Sequence, residues 1–268
     1  MNGAPSREPL AVGDAGGAAA IAVSGLRHSF GEREVLAGLS FRSGERRVLG
    51  LVGPSGCGKS TLLELVAGLR EPRGGRIEVE GAVNAGERLR RCAYMPQRDL
   101  LLPWLSALDN AGLALRNRGA SRAEARRTTA PLFERFGLEG FETARPAELS
   151  GGMRQRVAFL RTLVAGKPVL LLDEPFGALD AITRGEMQEW LADALEAEPR
   201  TALLVTHDVE EALYLCDEVM VLSARPAREV ARLEVPSPRR GRRADRVTSP
   251  ELVALRERAL RALEGGAG

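Results

Sequence analysis

The sequence predicts an α/β fold: a mostly parallel sheet with helices on both faces, an antiparallel β region ahead of it, and a long helical stretch within it. Three observations predict this. Short, almost wholly apolar runs such as residues 169–172 and 202–205 lack the alternation of a half-wet strand, so they suit strands buried on both faces. Helical patterns fall between such runs, which is the order of a βαβ chain. The first strands follow one another without helices, as in an antiparallel patch.

Taken in order, residues 1–20 are Gly/Ala-rich and read as a disordered tail. Asp14 interrupts their weakly apolar stretch and no basic segment precedes it, so they do not read as a signal peptide. Residues 21–30 carry apolar side chains near period two and read as a strand, 35–41 as a second, and 44–45 as a turn. A mostly apolar strand at 47–52 runs into a glycine-rich loop at 53–60 and a helix at 61–69. Short strands are expected at 76–80 and 91–95. Residues 105–136 read as helical, rich in Ala, Leu and Arg, and 150–165 as another helix leading into the strand at 169–172. A helix fits 182–197, with Ile182, Met187, Trp190, Leu191 and Ala194 on one side. A strand at 202–205, a helix at 209–215 and a strand at 218–222 follow. Residues 236–246 read as a Pro/Arg-rich linker, and 249–264 as a closing helix with Ser249 as N-cap and Pro250 in its first turn. The chain thus divides into a tail, a main domain at 21–235 with a helical subdomain at about 98–160, and a 236–268 linker and C-terminal helix.

The net charge of +2, from 38 basic and 36 acidic residues, leaves no nucleic-acid footprint on the chain as a whole. Cys57, Cys92 and Cys216 are odd in number and widely spaced, which suits reduced thiols in the cytoplasm. No run approaches the ~18 apolar residues of a membrane span.

Only two of the 38 basic residues are lysines, Lys59 and Lys167. A chain that writes nearly every cation as Arg keeps a slim point charge at one special place, where a planar fork would clash. That place is Gly53-Pro54-Ser55-Gly56-Cys57-Gly58-Lys59-Ser60, followed by Thr61, a full match to G-x-x-x-x-G-K-[ST]. Its glycines let backbone N–H groups curl inward onto phosphate oxygens, and the next helix adds the positive end of its dipole. Lys59 should reach the β/γ-phosphates of ATP, and the Ser60 hydroxyl should ligate Mg²⁺. A greasy strand then ends in Asp173-Glu174, at the C-terminal edge where ligands of such sheets bind. Asp173 is placed to hold Mg²⁺, and Glu174 to polarise the water that attacks the γ-phosphate. A P-loop NTPase core follows from these two motifs together. Ser150-Gly151-Gly152 exposes amides at another helix start, which an anion or an ordinary cap would equally explain.

Leu149-Ser150-Gly151-Gly152-Met153-Arg154-Gln155-Arg156 resembles the signature motif of the ATP-binding subunits of ABC transporters, and shorter signals stand in that family's order around it. The resemblance runs from about residue 21 to 222. It implies that Phe30 stacks on adenine, that Gln97 is the Q-loop glutamine linking Mg²⁺ to the helical subdomain, that Asp180 lies in the D-loop, and that His207 is the switch histidine. It further implies a head-to-tail homodimer in which Ser150, Gly151, Gly152 and Gln155 of one copy close over ATP held by the other. The wording of 101–110, 174–191 and 206–219 is similar to importers of the nitrate/sulfonate/taurine type and of pyrimidine precursors of thiamine. Such a resemblance implies integral membrane permease subunits, an extracytoplasmic solute-binding protein, and a peripheral place on the cytoplasmic face of the membrane. The apolar cluster at 100–104 reads either as core or as a docking groove anchored by Trp104. A soluble ABC-type ATPase of DNA repair or ribosomes is the alternative. For it the arginines at 239, 240, 242, 243 and 246 would form a nucleic-acid patch rather than a solvated linker.

Overall fold

The computed structural model describes residues 19–177, 179–236, 238–239 and 241–266. Apart from Ala19 and Ala20, the expected tail lies outside them. Those two residues open the first strand, so the ordered domain begins slightly earlier than its composition suggests.

Strands β1 (Ala19–Phe30), β2 (Arg33–Gly44) and β4 (Gly74–Val79) make a three-stranded antiparallel sheet in the order β2-β1-β4. The larger sheet holds β3 (Val48–Val52), β5 (Cys92–Met95), β6 (Val169–Asp173), β7 (Thr201–Thr206), β8 (Glu218–Leu222) and β9 (Glu229–Glu234) in the order β5-β6-β7-β3-β8-β9. All its neighbours are parallel except β8 and β9.

The helices among the described residues are α1 (Lys59–Ala67), α2 (Ala85–Arg91), α3 (Ala107–Ala111), α4 (Leu113–Asn117), α5 (Arg122–Arg135), α6 (Gly151–Val164), α7 (Ala181–Ala197), α8 (Val209–Leu215), α9 (Arg243–Val247) and α10 (Pro250–Gly265). None among the described residues is long and apolar enough to cross a membrane.

The pleat sorts the core. Val48, Val52, Leu170, Leu172, Ala202, Leu204 and Val221 point to one face and pack in one cluster with residues of α6, α7, α8 and α10. The alternate residues Leu49, Leu51, Val169, Leu171, Leu203, Val205 and Met220 point to the other and pack with α1 and the antiparallel sheet. This two-sided burial is why the parallel strands read as unbroken apolar runs.

Three expectations change. The stretch 105–136 is three helices, because Gly112 and the turn through Gly119, at φ +99, break it before Ser121 caps α5. On α7 the core face is Met187, Gln188, Leu191, Ala192 and Leu195, while Ile182 is 77% exposed in a first turn that runs past the core. Three arginines hold part of the 236–246 linker against the domain, while Arg242 is exposed and Arg240 lies outside the described residues. Arg239 donates to the Leu215 carbonyl at 2.6 Å and to both Asp217 oxygens at 2.9 and 3.2 Å. Arg243 Nε meets Gln188 at 2.5 Å, and Arg246 meets the Pro236 carbonyl at 3.0 Å. These guanidiniums are turned inward and form no open basic patch. α10 follows as expected, with the Ser249 hydroxyl accepting from Leu252 N–H.

Candidate nucleotide-binding and catalytic site

Strand order builds the site. β6, β7 and β3 are neighbours, so Asp173-Glu174, Thr206-His207 and the loop from Gly53 emerge side by side at one edge of the sheet. They border a cavity of about 450 Å³, lined by Phe30, Val35, Ser55, Gly56, Gly58, Lys59, Ser60, Thr61, Gln97, Glu174, His207 and Arg225.

The loop 53–58 delivers the N-terminus of α1 to this cavity. Gly58 precedes that helix at φ +121, and a Cβ there would come within 2.6 Å of Val35 Cγ1, so only glycine fits. No side chain caps α1, which leaves its first N–H groups to a ligand. Lys59 is buried, and its Nζ donates to the Gly53 and Pro54 carbonyls at 2.6 and 3.0 Å. Cys57 N–H also donates to Pro54, at 3.2 Å. The Cys57 side chain turns inward, as expected, and burial raises its pKa.

Beside the helix start, Ser60 Oγ donates to Asp173 Oδ1 at 3.1 Å, and Tyr94 Oη to Asp173 Oδ2 at 3.2 Å. Burial pushes the Asp173 carboxyl up, a cost that a nearby cation would relieve. Glu174 sits at φ +46, a left-handed conformation that costs a non-glycine residue roughly 1–3 kcal/mol and marks an over-determined position. Its N–H donates to Val205 O at 2.8 Å, and its carboxylate lies 3.1 Å from Gln97 Nε2 and 3.3 Å from His207 Nδ1. The two expected catalytic residues, Glu174 and His207, therefore meet, and Gln97 joins them. Gln97, assigned from sequence to the metal, here has its amide on Glu174.

Phe30 is 46% exposed, packed edge-on against His28 with the Arg70 guanidinium 5.3 Å from its ring centre. Its free surface faces the cavity, which suits a planar ligand better than core packing.

Ser150 caps α6 by accepting from Met153 N–H at 3.2 Å, and Gly151 is exposed beside it. Neither these residues nor Gly152 line the cavity. Gln155 does not join them. It is buried, with Nε2 donating to Pro175 O at 2.6 Å, so its amide is used inside the chain. It fixes α6 to the loop after β6. Asp180 caps α7, accepting from Ile182 and Thr183 N–H at 3.1 Å each, and its hydrogen bonds with Thr183 hold its carboxyl below the usual range.

Three lining or supporting residues, Val35, Tyr94 and Arg225, escaped the sequence reading as site residues. Tyr94 becomes visible only when β5 is known to pair with β6. Arg225 follows β8 in a loop with no motif of its own.

The family model described as "ABC transporter" matches residues 36–177, just over half of the chain. This chain belongs to the ABC transporter family. It is 44% identical over 202 residues to the formylaminopyrimidine import ATP-binding protein of Halalkalibacterium halodurans, covering 75% of this chain and 78% of that one. It is 41% identical over 239 residues to the taurine import ATP-binding protein of Chromobacterium violaceum, covering 88% and 91%. A solved dimeric ATP-binding cassette in a post-hydrolysis state with ADP and Pi covers 81% of this chain and 99% of its own, with TM-score 0.72 and 26% identity. As a member of this family of cassettes, the chain is an ATPase on a P-loop NTPase fold, with the antiparallel sheet and the helical insertion attached to it.

Proposed function

We propose that this chain is the ATP-hydrolysing subunit of an importer for a small solute of the nitrate, sulfonate, taurine or pyrimidine-precursor kind. It works as a head-to-tail pair on the cytoplasmic face of the membrane, beneath separate permease subunits. An extracytoplasmic binding protein delivers the solute, and no nucleic acid takes part. The observation that carries the dimer is the separation of two helix starts: Lys59 and Glu174 share one cavity, while Ser150 and Gly151, at the start of α6, lie outside its lining. A second copy brings the two together over one γ-phosphate, so hydrolysis loosens the pair.

Within that arrangement Lys59 and the loop amides take the phosphates, and Phe30 takes the adenine. Glu174 accepts the proton of the attacking water, held in place by Gln97 and His207. Asp180 stands at the start of α7 on the exposed surface, where it can meet the second copy. The chemistry of the donor set suits Mg²⁺: Ser60 and Asp173 offer hard oxygens 3.1 Å apart. No cluster of three or more His, Cys, Asp or Glu among the described residues forms a closed metal cage. An ion that draws its remaining ligands from water and phosphate fits such a site, where it would neutralise charge on the β- and γ-phosphates. On the permease side, Leu101 is buried, but Leu100 and Trp104 are 58% and 68% exposed, an apolar pair fit to hold a short helix.

Gel filtration of Glu174→Gln with Mg·ATP is expected to give twice the monomer mass, with Lys59→Ala remaining monomeric. Turnover of Glu174→Gln should fall about 10²–10⁴-fold. Normal turnover in that variant would refute the assignment of the base. In cells that also express the permease, Trp104→Glu should release the chain from the membrane fraction. Retention there would remove the docking role.

A further inference from the structure

Arg225 stands outside every motif described above, yet its guanidinium grips the phosphate loop. Nε and Nη2 both donate to the Gly56 carbonyl, at 3.0 and 2.5 Å. Charged donors make short, strong hydrogen bonds, and here two of them fix a single acceptor. The side chain also borders the cavity that holds Lys59.

The atom it grips belongs to a particular peptide plane. The Gly56 C=O and the Cys57 N–H are one rigid unit and point in opposite directions. Cys57 N–H is directed at the Pro54 carbonyl, the same oxygen that takes Lys59 Nζ. The plane is thus held at both ends, its N–H within the loop by the Pro54 carbonyl and its C=O from outside by Arg225. Gly56 has φ +75, and glycine leaves its plane free to turn unless something outside holds it. Arg225 is that outside hold.

Its own loop is braced. Ala227 N–H donates to Val35 O on β2 at 2.8 Å, Ser223 N–H to Arg228 O at 2.9 Å, and Ala224 N–H to Gly266 O beyond α10 at 3.1 Å. A long flexible side chain on an anchored loop can thus hold the phosphate loop in register with the antiparallel sheet and the C-terminal helix.

We propose that Arg225 is a positioning residue for nucleotide binding: by gripping the Gly56 carbonyl, it keeps the loop 53–58 in the turned form that receives the phosphates shared by ATP and ADP. The role differs from that of Lys59 and Glu174, because it acts through the loop and does not depend on the γ-phosphate.

Equilibrium titration of the purified full-length chain with fluorescent ATP and ADP analogues, in Mg²⁺, tests this. Arg225→Ala should weaken both by about tenfold, the scale of a lost charge-assisted hydrogen bond. Both nucleotides should be affected alike, with KM for ATP rising more than kcat falls. Arg225→Lys can still donate once to the carbonyl and should recover most of the affinity. Should Arg225→Ala fail to fold, Arg225→Gln, which keeps one donor, is judged against Arg225→Lys by the same criterion. Affinities within twofold of the parent chain, weakening of ATP alone, or a loss that Lys does not restore would each overturn the proposal.

Discussion

Glu211 offers a sharp test of the core's electrostatics. It lies buried on α8, with Oε2 accepting from Gln188 Nε2 at 3.0 Å and Oε1 unpartnered. Burial first, and then the Asp208 carboxylate, push its pKa from 4.5 up to about 8. Between those values the folded chain keeps a proton that the unfolded chain releases. The unfolded state binds fewer protons there, so stability falls as pH rises. The contribution is fully present below 4.5, is lost through the window, and is level above about 8. A single proton gives a slope of at most ~1.4 kcal/mol per pH unit. Glu211→Gln mimics the neutral acid in shape and hydrogen bonding and carries no such slope. Urea unfolding of both proteins from pH 5 to 9 isolates the effect, since every other group cancels in the difference. The variant should gain on the parent by up to ~4 kcal/mol between pH 5 and pH 8, and no further above that. A difference that stays flat from pH 5 to 8 would show that Glu211 is ionised in the fold and that the reasoning from burial is wrong.

Two further outcomes are expected. Asp109 on α3 is buried and accepts bidentate bonds from both Arg122 and Arg126, which hold its carboxyl far below the usual range. Asp109→Asn should lower Tm by roughly 4 °C at pH 7 and shrink that penalty as pH falls below 3.8, because a depressed carboxylate stabilises only while ionised. An equal loss at every pH would count against the ion-pair account. The three cysteines are all buried, and burial raises their thiols, Cys92 to about 12. An aromatic disulfide reagent at pH 7 should therefore label them only after denaturant is added. Rapid labelling of Cys57 in the folded chain would show the phosphate loop opening.

The parallel strands were legible because two-sided burial leaves no polar positions to confuse the pattern. The phosphate loop was legible because its chemistry is local. α2 and β9 were not foreseen. α2 is short and charged, with only Arg88 buried, and β9 is an edge strand with a mixed burial pattern. Ile182 misled because an apolar residue in helical register need not face the core when the first turn overhangs it. Gln155 was grouped with Ser150, Gly151 and Gly152, but its amide is bonded to Pro175 O, a contact that only the tertiary packing reveals. Tyr94 and Arg225 depend on strand order and on a loop after β8, and neither is written in the sequence around them.

The segment from Gln97 to Trp104 ties three separate regions together, and its bonds say how. At one end the Gln97 amide lies on Glu174. In the middle, Asp99 pairs with Arg154 in the first turn of α6 at 3.1 Å, and the Asp99 and Leu100 carbonyls accept from Arg161 at 2.6 and 2.8 Å. Leu100 itself sits at φ +44, a conformation a leucine holds only when its surroundings fix it. At the far end Leu100 and Trp104 are exposed. A stretch pinned this closely to one helix does not bend freely like an open loop. A push on the exposed apolar pair is carried to α6, and so to Ser150 at its start, through side chains that grip backbone carbonyls. The same push reaches the Glu174 carboxylate only through the few residues back to Gln97. The contact with Glu174 is a single exposed hydrogen bond, whereas the contact with α6 is an ion pair and two carbonyl bonds. By that count α6, rather than Glu174, is the more tightly coupled end.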